Sequence, residues 1–357
     1  MPRIFKFGGA LLKDAEGLRT MASLVSEFQC EPLVVVVSAI GKTTNALEEL
    51  QRMAAARDEK MLQQQYFALK HQHMELIQSL ELNNEEELMQ QVEDEFRNLW
   101  DALTVVYTDQ YEAYDQIVCF GERFSTRIVS AVLTEAAVPV YFLDATKIIV
   151  TDDRHTQAAI HWPMTEKTIQ ARVLPVLENH QTVLIQGFVG ACENGNTTTL
   201  GREGSDFTAA ILAYVLEADE VCIWKDVPGL MNSDPKLFSD AVKLPHVSYS
   251  EAIELAFYGA SVIHPRTIQP LKKKGILLKV CSFYEPSSEP TLIDSDESDD
   301  NSIPKIIVKK NQTLLSISSR DLSFMAEEKL MKVFEVLSHN RLHINLMQNS
   351  AVSFASD

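Results

Sequence analysis

The sequence has 357 residues, enough for one large domain and a smaller one. Its formal net charge of −18 argues against general binding to nucleic acid or to an anionic membrane. The chain shows neither the apolar core of a signal peptide nor an apolar run long enough to span a bilayer. Its five cysteines are scattered without metal-ligand spacing, which indicates buried thiols in a reducing compartment. We therefore expect a cytoplasmic protein.

Apolar runs with the length of β-strands alternate along the chain with longer segments of helical periodicity. The run from Leu33 to Val37 is rich in β-branched residues, which is typical of a parallel strand buried on both faces. Residues 46–114 lack glycine and proline and predict several helices stacked on one side of the sheet. The other predicted strands are residues 3–7, 117–120, 138–143, 148–150, 182–185, a run beginning at 221, and 277–281. This alternation predicts an α/β fold with a largely parallel central sheet.

Polar or glycine-containing segments follow several of these strands, where the ligand crevice of an open α/β sheet lies. Gly8 and Gly9 follow the first strand and allow a sharp turn with exposed amides. Lys6, just before them, can supply the charge that a phosphate needs. Ser38 and Thr44 place hydroxyl groups after the second strand. Each set on its own is also typical of an ordinary surface turn.

A glycine-punctuated stretch, residues 197–206, leads into an apolar segment of helical periodicity. Its two glycines permit close approach of the backbone to a ligand, and Ser205 or Asp206 is expected to cap the helix. The N-terminus of a helix favours phosphate or carboxylate, and Arg202 adds a fork suited to a carboxylate. Taken alone, such a stretch is as often a plain connection as a ligand site.

The composition changes after about residue 284. Residues 285–303 contain proline, serine and an acidic run, which predict an exposed linker. Beyond it, an amphipathic helix is predicted at 327–339 and strands at 306–308, 314–317 and 344–347. We expect residues 304–357 to form a partial, truncated second domain, because they offer too little chain for a self-contained core.

Seven segments of the chain, taken together, resemble the aspartokinase branch of the amino-acid kinase family. They read KFGG (6–9), SA…TN (38–45), GERFST (121–126), QGFVG (186–190), TTLGREGSD (198–206), KDVPGLMNSDP (225–235) and GASVIHPRT (259–267). Any one segment is a weak signal, whereas seven in order are specific. The part after the linker resembles the beginning of an ACT-type regulatory domain. The resemblance implies a three-layer αβα sandwich over residues 1–284, followed by a partial ACT-like βαβ module.

The resemblance also implies a reaction, the ATP-dependent phosphorylation of the L-aspartate β-carboxylate to 4-phospho-L-aspartate. This is the first step of the pathway to lysine, threonine and methionine. Mg²⁺ is expected with ATP, held chiefly by phosphate oxygens, and no metal-ligating residue is predicted. A homodimer through the ACT-like module and an amino-acid effector are expected as well. The sequence does not say whether that effector is lysine or threonine.

Carboxylate attack on a phosphoryl group brings two anions together, so charge neutralisation and alignment are the main requirements. The resemblance assigns Lys6 to the phosphates and Asp206 to organising that lysine. Arg202 is expected to hold the substrate α-carboxylate, and Glu122 its α-ammonium group. The other predicted substrate contacts are Ser38, Thr44, Phe188 and Ser205.

The nucleotide is expected to contact Lys6, Gly8, Gly9, Lys225, Asp226, Met231, Lys236 and Ser261. Five residues depart from the usual pattern of the family. This chain has Ala10 where the family usually has Thr, Glu203 in place of Gly, Lys225 in place of Thr, Met231 in place of Tyr and Ser261 in place of Lys. We hypothesise that Lys225 supplies the phosphate charge that Ser261 does not carry.

Two alternatives remain open from the sequence. One is a kinase of the same fold that acts on glutamate, carbamate or a nucleoside monophosphate. The pairing of Glu122 with Arg202, together with the ACT-like tail, favours aspartate. The other is a non-catalytic amino-acid-sensing protein. Lys6 and Asp206 argue against it, because a binding protein needs no phosphate-holding lysine.

Overall fold

The computed structural model describes residues 1–258, 263–300, 302–310, 312–318, 327–340, 342, 344, 346–349 and 353–356. The strands within these ranges are β1 (Arg3–Phe7), β2 (Leu33–Val37), β3 (Val140–Leu143), β4 (Val150–Thr151), β5 (Thr182–Gln186), β6 (Val189–Cys192), β7 (Thr197–Thr199), β8 (Glu220–Lys225), β9 (His246–Ser248), β10 (Leu277–Ser282), β11 (Thr291–Asp294), β12 (Leu315–Ser318), β13 (Met347–Asn349) and β14 (Ser353–Ser356).

The same ranges contain the α-helices given next. They are α1 (Ala15–Glu27), α2 (Thr43–Ala56), α3 (Glu59–Leu80), α4 (Glu85–Thr104), α5 (Gln110–Val118), α6 (Phe120–Glu135), α7 (Trp162–Glu178), α8 (Gly204–Leu216), α9 (Tyr249–Tyr258), α10 (Pro265–Lys274) and α11 (Glu327–His339). Within the described part of the chain, no helix combines the length and the apolar character that crossing a membrane requires.

Eight strands form the central sheet in the order β3-β5-β2-β1-β8-β10-β11-β9. Neighbouring strands are parallel except β10 and β11, which run antiparallel. On one side of β1 the chain adds β2 and then the edge strand β3, and β5 is later inserted between them; β8 and β10 follow on the other side. The topological switch point therefore lies at β1, where an open α/β sheet forms its ligand crevice.

The two faces of the sheet carry separate cores, as the alternation of side chains along a strand requires. Phe5 and Phe7 lie in the core covered by helices α1 to α6. Ile4 lies in the other core, covered by helices α7 to α10. All five residues of β2 are buried, as predicted for a parallel strand covered on both faces. These layers confirm the predicted three-layer αβα architecture.

A small sheet of order β4-β6-β7 adjoins the carboxyl end of β5, because β6 begins three residues after β5 ends. The buried carboxylate of Asp115, on α5, fixes one side of this sheet. It accepts a hydrogen bond from the Thr199 hydroxyl at 2.5 Å and from the Thr156 amide at 3.1 Å. His155 Nδ1 lies 2.8 Å from the same carboxylate. The loop before α7 is thereby held beside the crevice.

Residues 117–120 are not a strand, contrary to the sequence prediction. They span the end of α5 and the start of α6, with Cys119 between the two helices. The apolar run is buried in the helical layer, and a short buried run fits a helix as well as a strand. The predicted strand at 148–150 is also shorter, because a 3₁₀ turn at Ala145–Lys147 leaves only β4.

The segment 285–303, predicted to be an exposed linker, supplies β11 to the central sheet. Thr291 and Ile293 are fully buried, and the Thr291 hydroxyl donates to the Leu244 carbonyl at 2.6 Å. The acidic run is also tied down, because Asp300 accepts from the amide and the hydroxyl of Ser248. An acidic composition predicts that side chains are exposed. It does not prevent the backbone of the same segment from pairing in a sheet.

The described C-terminal residues include an antiparallel sheet of order β12-β14-β13 and helix α11. The predicted helix at 327–339 and the strand near 314–317 are confirmed. Residues 306–308 form no strand, and of the described residues in the predicted strand 344–347, which are 344, 346 and 347, Met347 alone lies in one. The ACT-like character of this part and the domain boundaries at 284 and 304 stay predictions.

Gly9 is a position in the loop after β1 that has no room for a side chain. A Cβ atom there would lie 1.9 Å from the Ala39 carbonyl oxygen. At Gly8 it would meet only the Lys6 ammonium within 4 Å, at 3.7 Å. Gly9→Ala therefore has to displace the backbone that follows β2, and we expect it to lower the free energy of unfolding by about 3 kcal/mol.

Urea unfolding followed by circular dichroism measures this loss, with Gly8→Ala as the matched control. The control should unfold close to the wild-type midpoint, because its added methyl group meets only the end of a flexible side chain. Equal midpoints for the two variants would contradict the close approach of Gly9 to the backbone of Ala39.

Candidate active site

A cavity of about 880 Å³ opens at the carboxyl ends of β1, β2 and β5. The chain reaches it from segments that lie almost 200 residues apart, because parallel strands end at the same edge of a sheet. Seven of the predicted site residues line its wall, namely Lys6, Ser38, Thr44, Glu122, Phe188, Arg202 and Ser205. The fold therefore brings together the whole predicted substrate set.

A buried carboxylate ties two lysines together at one end of this cavity. Asp206, in the first turn of α8, is fully buried. Its Oδ1 lies 2.5 Å from the ammonium nitrogen of Lys6, and its Oδ2 lies 3.3 Å from that of Lys225. Because Lys6 is 5% exposed, its charge is compensated by Asp206 rather than by water. This arrangement presents two ammonium groups side by side, as a phosphate site requires.

The two lysines also determine the ionisation of Asp206. Burial by itself raises the pKa of this carboxyl group, but Lys6 and Lys225 outweigh it and hold the pKa at about 2. Asp206 is therefore ionised at pH 7 and accepts hydrogen bonds from both ammonium groups. It is placed to orient lysines and not to remove a proton from a substrate.

The cavity also contains a second buried carboxylate, one oxygen of which is unpaired among the described residues. Glu122 is 3% exposed and lies in the first turn of α6, where its Oε1 accepts from the Ala39 amide at 3.1 Å. Its buried Oε2 has no hydrogen-bond partner in the described ranges. Burial raises the pKa of Glu122 to about 8, although the Ala39 amide and Lys6 act in the other direction. Such an oxygen is suited to receive a donor from a ligand.

Close packing between the β5–β6 turn and α8 shapes the middle of the cavity. A Cβ at Gly187 would lie 2.4 Å from the Cβ of Ser205, and one at Gly204 would lie 2.7 Å from the ring of Phe188. Phe188 has a φ of 70° and donates its amide to the Thr208 hydroxyl at 3.0 Å. The two glycines thus let the Phe188 ring and the start of α8 meet at the cavity wall.

The capping prediction for α8 is wrong. The helix begins at Gly204, so Ser205 and Asp206 lie in its first turn rather than before it. Glu203 occupies the capping position with a φ of 55°, and its side chain makes no capping hydrogen bond. The signal was misread because serine and aspartate are typical both of caps and of acidic first turns.

Six of the predicted nucleotide residues do not line the cavity, namely Gly8, Gly9, Lys225, Asp226, Met231 and Lys236. Asp226 and Lys236 are exposed, and Met231, on the turn beyond β8, pairs with Lys243 in an isolated bridge. Ser261 lies outside the described residues. Lys225 reaches the cavity indirectly, through Asp206 and through Glu203, which lies in its wall. The nucleotide contacts therefore rest mainly on the end of the site that contains Lys6.

Sequence reasoning missed much of the outer wall. The other lining residues are Asn45, Gln51, Gln110, Tyr111, Tyr114, Thr156, Gln157, Gly201, Glu203 and Gly204. Those on α2 and α5 belong to a long region of uniform helical periodicity, which gives no sign of the face that meets a ligand. A polar turn before α7 was the available signal for Thr156 and Gln157.

Comparison with known proteins gives this fold and site a family. The model of the amino acid kinase family matches residues 1–282, and the chain belongs to that family. The lysine-sensitive aspartokinase 3 of Escherichia coli is 31% identical over 99% of the chain. Aspartokinase 1 of the Arabidopsis thaliana chloroplast is 30% identical over 99% of the chain. Within the family, the chain belongs to the aspartokinases.

Solved structures agree with that assignment. E. coli aspartokinase III in complex with aspartate and ADP matches with a TM-score of 0.87 at 29% identity, over 100% of this chain and 78% of that one. Its complex with lysine and aspartate matches with a TM-score of 0.84 over 99% and 78%. The chain spans 77% of the length of the E. coli relative and 62% of the Arabidopsis relative.

The Asp206 bridge leads to a prediction about stability. Asp206→Asn keeps the shape of the side chain but leaves two ammonium groups, which water reaches poorly, without an anionic partner. Because removing one partner from a buried ionic network is costly, we expect a loss of about 3–5 kcal/mol in the free energy of unfolding at pH 7. Urea titration measures the loss. The double variant Lys6→Met/Asp206→Asn, which removes one cation as well, should recover part of it.

The loss of stability in Asp206→Asn should also depend on pH. The pKa of Asp206 in the folded protein, about 2, lies below its ordinary value of 3.8. Its charge therefore stabilises the fold fully above about pH 4, and that stabilisation is lost as the pH falls from about 4 to 2. The difference between wild type and Asp206→Asn should narrow in this window. A constant difference, or no recovery in the double variant, would refute the bridge.

Proposed function

We propose that this chain phosphorylates the β-carboxylate of L-aspartate with ATP and produces 4-phospho-L-aspartate and ADP. The observation that carries the proposal is a single cavity that combines a lysine pair bridged by Asp206 with a second buried carboxylate, that of Glu122, which is only half satisfied. An acidic amino acid has a cation and two anions, and this cavity offers a partner to each. The E. coli relative was crystallised with aspartate and ADP, and the same ligands are proposed for this chain.

At the phosphoryl end, Lys6 neutralises charge between donor and acceptor, and Asp206 holds it in place. A β-carboxylate oxygen forms the new bond to the γ-phosphorus while the bond to the bridging oxygen breaks, and the electron pair leaves with ADP. The attacking carboxylate is already ionised at pH 7, so the step needs no general base. Alignment and charge neutralisation by Lys6 are the catalytic contributions of the chain.

At the amino-acid end, the unpartnered Oε2 of Glu122 receives the α-ammonium group. Arg202, exposed at the mouth, binds the α-carboxylate with its planar fork. Ser38, Thr44 and Ser205 donate hydroxyl hydrogen bonds, and the Phe188 ring closes the apolar side. An amino acid is thereby selected over a simple diacid, which would leave Glu122 without a donor.

The residues present fit a nucleotide with its accompanying Mg²⁺. The amides after β1, at Gly8 and Gly9, and the ammonium groups of Lys6 and Lys225 are suited to hold phosphate oxygens. No group of three or more His, Cys, Asp or Glu side chains in the described ranges is arranged to hold a metal ion. Mg²⁺ is proposed to be held chiefly by the phosphate oxygens. Contacts by Asp226, Met231, Lys236 and Ser261 stay predictions.

Regulation by an amino acid is a further part of the proposal. The E. coli relative is named lysine-sensitive and was crystallised with lysine. The described C-terminal strands and α11 offer the matching region in this chain, through which a homodimer is also proposed. Lysine and threonine are the effectors to test, and a cytoplasmic location remains the expectation from the sequence.

A coupled assay of ADP release tests the reaction. It compares L-aspartate, L-glutamate and no acceptor in the presence of Mg-ATP, with hydroxylamine to trap an acyl phosphate. We expect ADP and hydroxamate only with L-aspartate. Arg202→Ala should raise the KM for aspartate about 10- to 100-fold with little change in the KM for ATP, because it removes a charged hydrogen-bonding group from one substrate only.

The outcomes separate the alternatives. Turnover with L-glutamate in place of L-aspartate indicates a kinase of the same fold with another acceptor. Binding of an amino acid without turnover with any acceptor indicates a sensing protein. Equal loss of apparent affinity for both substrates in Arg202→Ala would contradict its assignment to the α-carboxylate.

Binding of L-aspartate should release a proton. A pKa of about 8 leaves Glu122 mostly protonated at pH 7 in the empty site, while an ammonium group at its Oε2 favours the ionised form. Raising the pH therefore favours binding, by up to about tenfold per unit between pH 6 and 8. Calorimetric titration with L-aspartate in buffers of different ionisation enthalpy should show the release of about one proton at pH 7.

Glu122→Gln is the matched control, since it keeps the size of the side chain and cannot titrate. This variant should bind L-aspartate more weakly, release no proton and lose the pH dependence. Proton release that persists in Glu122→Gln would assign the titration to another group and remove Glu122 from the ammonium site.

A further inference from the structure

Glu203 adopts a backbone conformation that usually belongs to glycine. Its φ of 55° and ψ of 27° lie in the left-handed region, which costs free energy for any residue with a Cβ. The position immediately precedes α8, where an acidic side chain often caps a helix, but this one makes no capping hydrogen bond. The backbone of Glu203 forms the turn in which the Gly204 amide donates to the Gly201 carbonyl at 2.9 Å, whereas its side chain contributes to neither the turn nor the helix.

The carboxylate of Glu203 is directed instead at the phosphoryl end of the cavity. Its Oε2 lies 3.8 Å from the ammonium nitrogen of Lys225, and the residue forms part of the cavity wall. Lys225 in turn lies 3.3 Å from Asp206. Burial and the nearby charge of Asp206 raise the pKa of Glu203, as expected for two carboxylates that share a lysine.

The charges at this end of the cavity cancel in the empty protein. Lys6 and Lys225 contribute two positive charges, and Asp206 and Glu203 contribute two negative ones. Asp206 is fully buried behind the lysines, whereas Glu203 lies partly exposed in the wall. Glu203 is therefore the carboxylate that an entering phosphate can displace.

We infer that Glu203 is an internal competitor for the phosphate-binding ammonium group of Lys225. In the empty site its carboxylate occupies Lys225, and a nucleotide phosphate has to take that place. Glu203 thereby weakens the binding of ATP and ADP without contacting the amino acid. The inference rests on the proposed kinase function, because it assigns the phosphate site of that reaction.

Calorimetric titration with Mg-ADP tests this role in the wild type, Glu203→Gln and Glu203→Gly. Glu203→Gln keeps the backbone strain and removes the charge, and it should bind Mg-ADP about tenfold more tightly, the effect of one partly screened charge a few ångströms away. Glu203→Gly should gain at least as much. The affinity for L-aspartate should stay within about twofold of wild type in both variants, a split that a general structural effect would not produce.

The double variant decides whether Glu203 acts through Lys225. In a Lys225→Met background, Glu203→Gln should tighten Mg-ADP binding by less than about threefold, because the group under competition is gone. An equal gain in both backgrounds would mean direct repulsion of phosphate and would overturn the inference. So would a gain in Glu203→Gly alone, which would attribute the effect to relief of backbone strain.

Failure of the inference and failure of the proposed function can be told apart. If the wild type binds Mg-ADP and the glutamate variants bind it equally well, the inference falls and the kinase proposal stands. If the wild type does not bind Mg-ADP, both fall. Thermal unfolding of each variant, monitored by circular dichroism, verifies that the proteins compared are folded.

Discussion

Asp206 is a fully buried carboxylate on which the geometry of the whole crevice depends. It reaches from α8 to Lys6 on β1 and to Lys225 on β8, so three elements distant in sequence meet at one side chain. A buried charge is stable only with partners, and each lysine in turn needs the carboxylate. The site is therefore assembled by mutual compensation of charge, and its parts have to be present together.

The register of the sheet makes this compensation possible. In the pairing of β1 with β8, Lys6 lies opposite Ile223, and Lys225 follows two residues later on the same face. Ile4 and Ile223 belong to the core beneath α8, so both lysines point toward that helix. A slip of one residue in either strand would direct its lysine into the opposite core. Burial of the apolar residues thus aligns the charged ones.

Sequence reasoning recovered the parts of this site that chemistry restricts to few residue types. A lysine before paired glycines, an acid after Gly121 and an arginine before a helix can be recognised one by one, and the fold brings all three to one cavity. Sequence reasoning failed where one pattern of residues is compatible with two kinds of local structure. The apolar run 117–120 is helical, and the acidic segment 285–303 contains a buried strand, because tertiary packing decided both.

The outer wall was beyond the reach of sequence reasoning for a different reason. Asp115 and Tyr114 lie in a region of uniform helical periodicity, and their importance depends on what the fold places opposite them. Asp115 gains its role from Thr199 and the Thr156 amide, more than 40 residues away in the sequence. Tyr114 gains its position from a hydrogen bond to Glu48 at 2.8 Å. Such pairings have no local signature.

Residues with a strained, left-handed backbone in the described chain fall into two groups, one at helix ends and one at the cavity. Five of the non-glycine residues with positive φ lie at or just after the ends of helices, where the left-handed conformation is common: Arg57, Glu81, Ala137, His180 and Glu217. The remaining three, Thr156, Phe188 and Glu203, all line the cavity.

Each strained residue of the cavity is held by a contact from a rigid element. The amide of Thr156 donates to Asp115 on α5, and the amide of Phe188 donates to Thr208 on α8. For Glu203 the contact is with the backbone of α8, because its carbonyl accepts from the Phe207 amide at 3.1 Å. Strain of this kind persists only where the surroundings enforce it. The backbone of this turn is thus held without Lys225, so a phosphate that captures Lys225 has to displace only the carboxylate of Glu203.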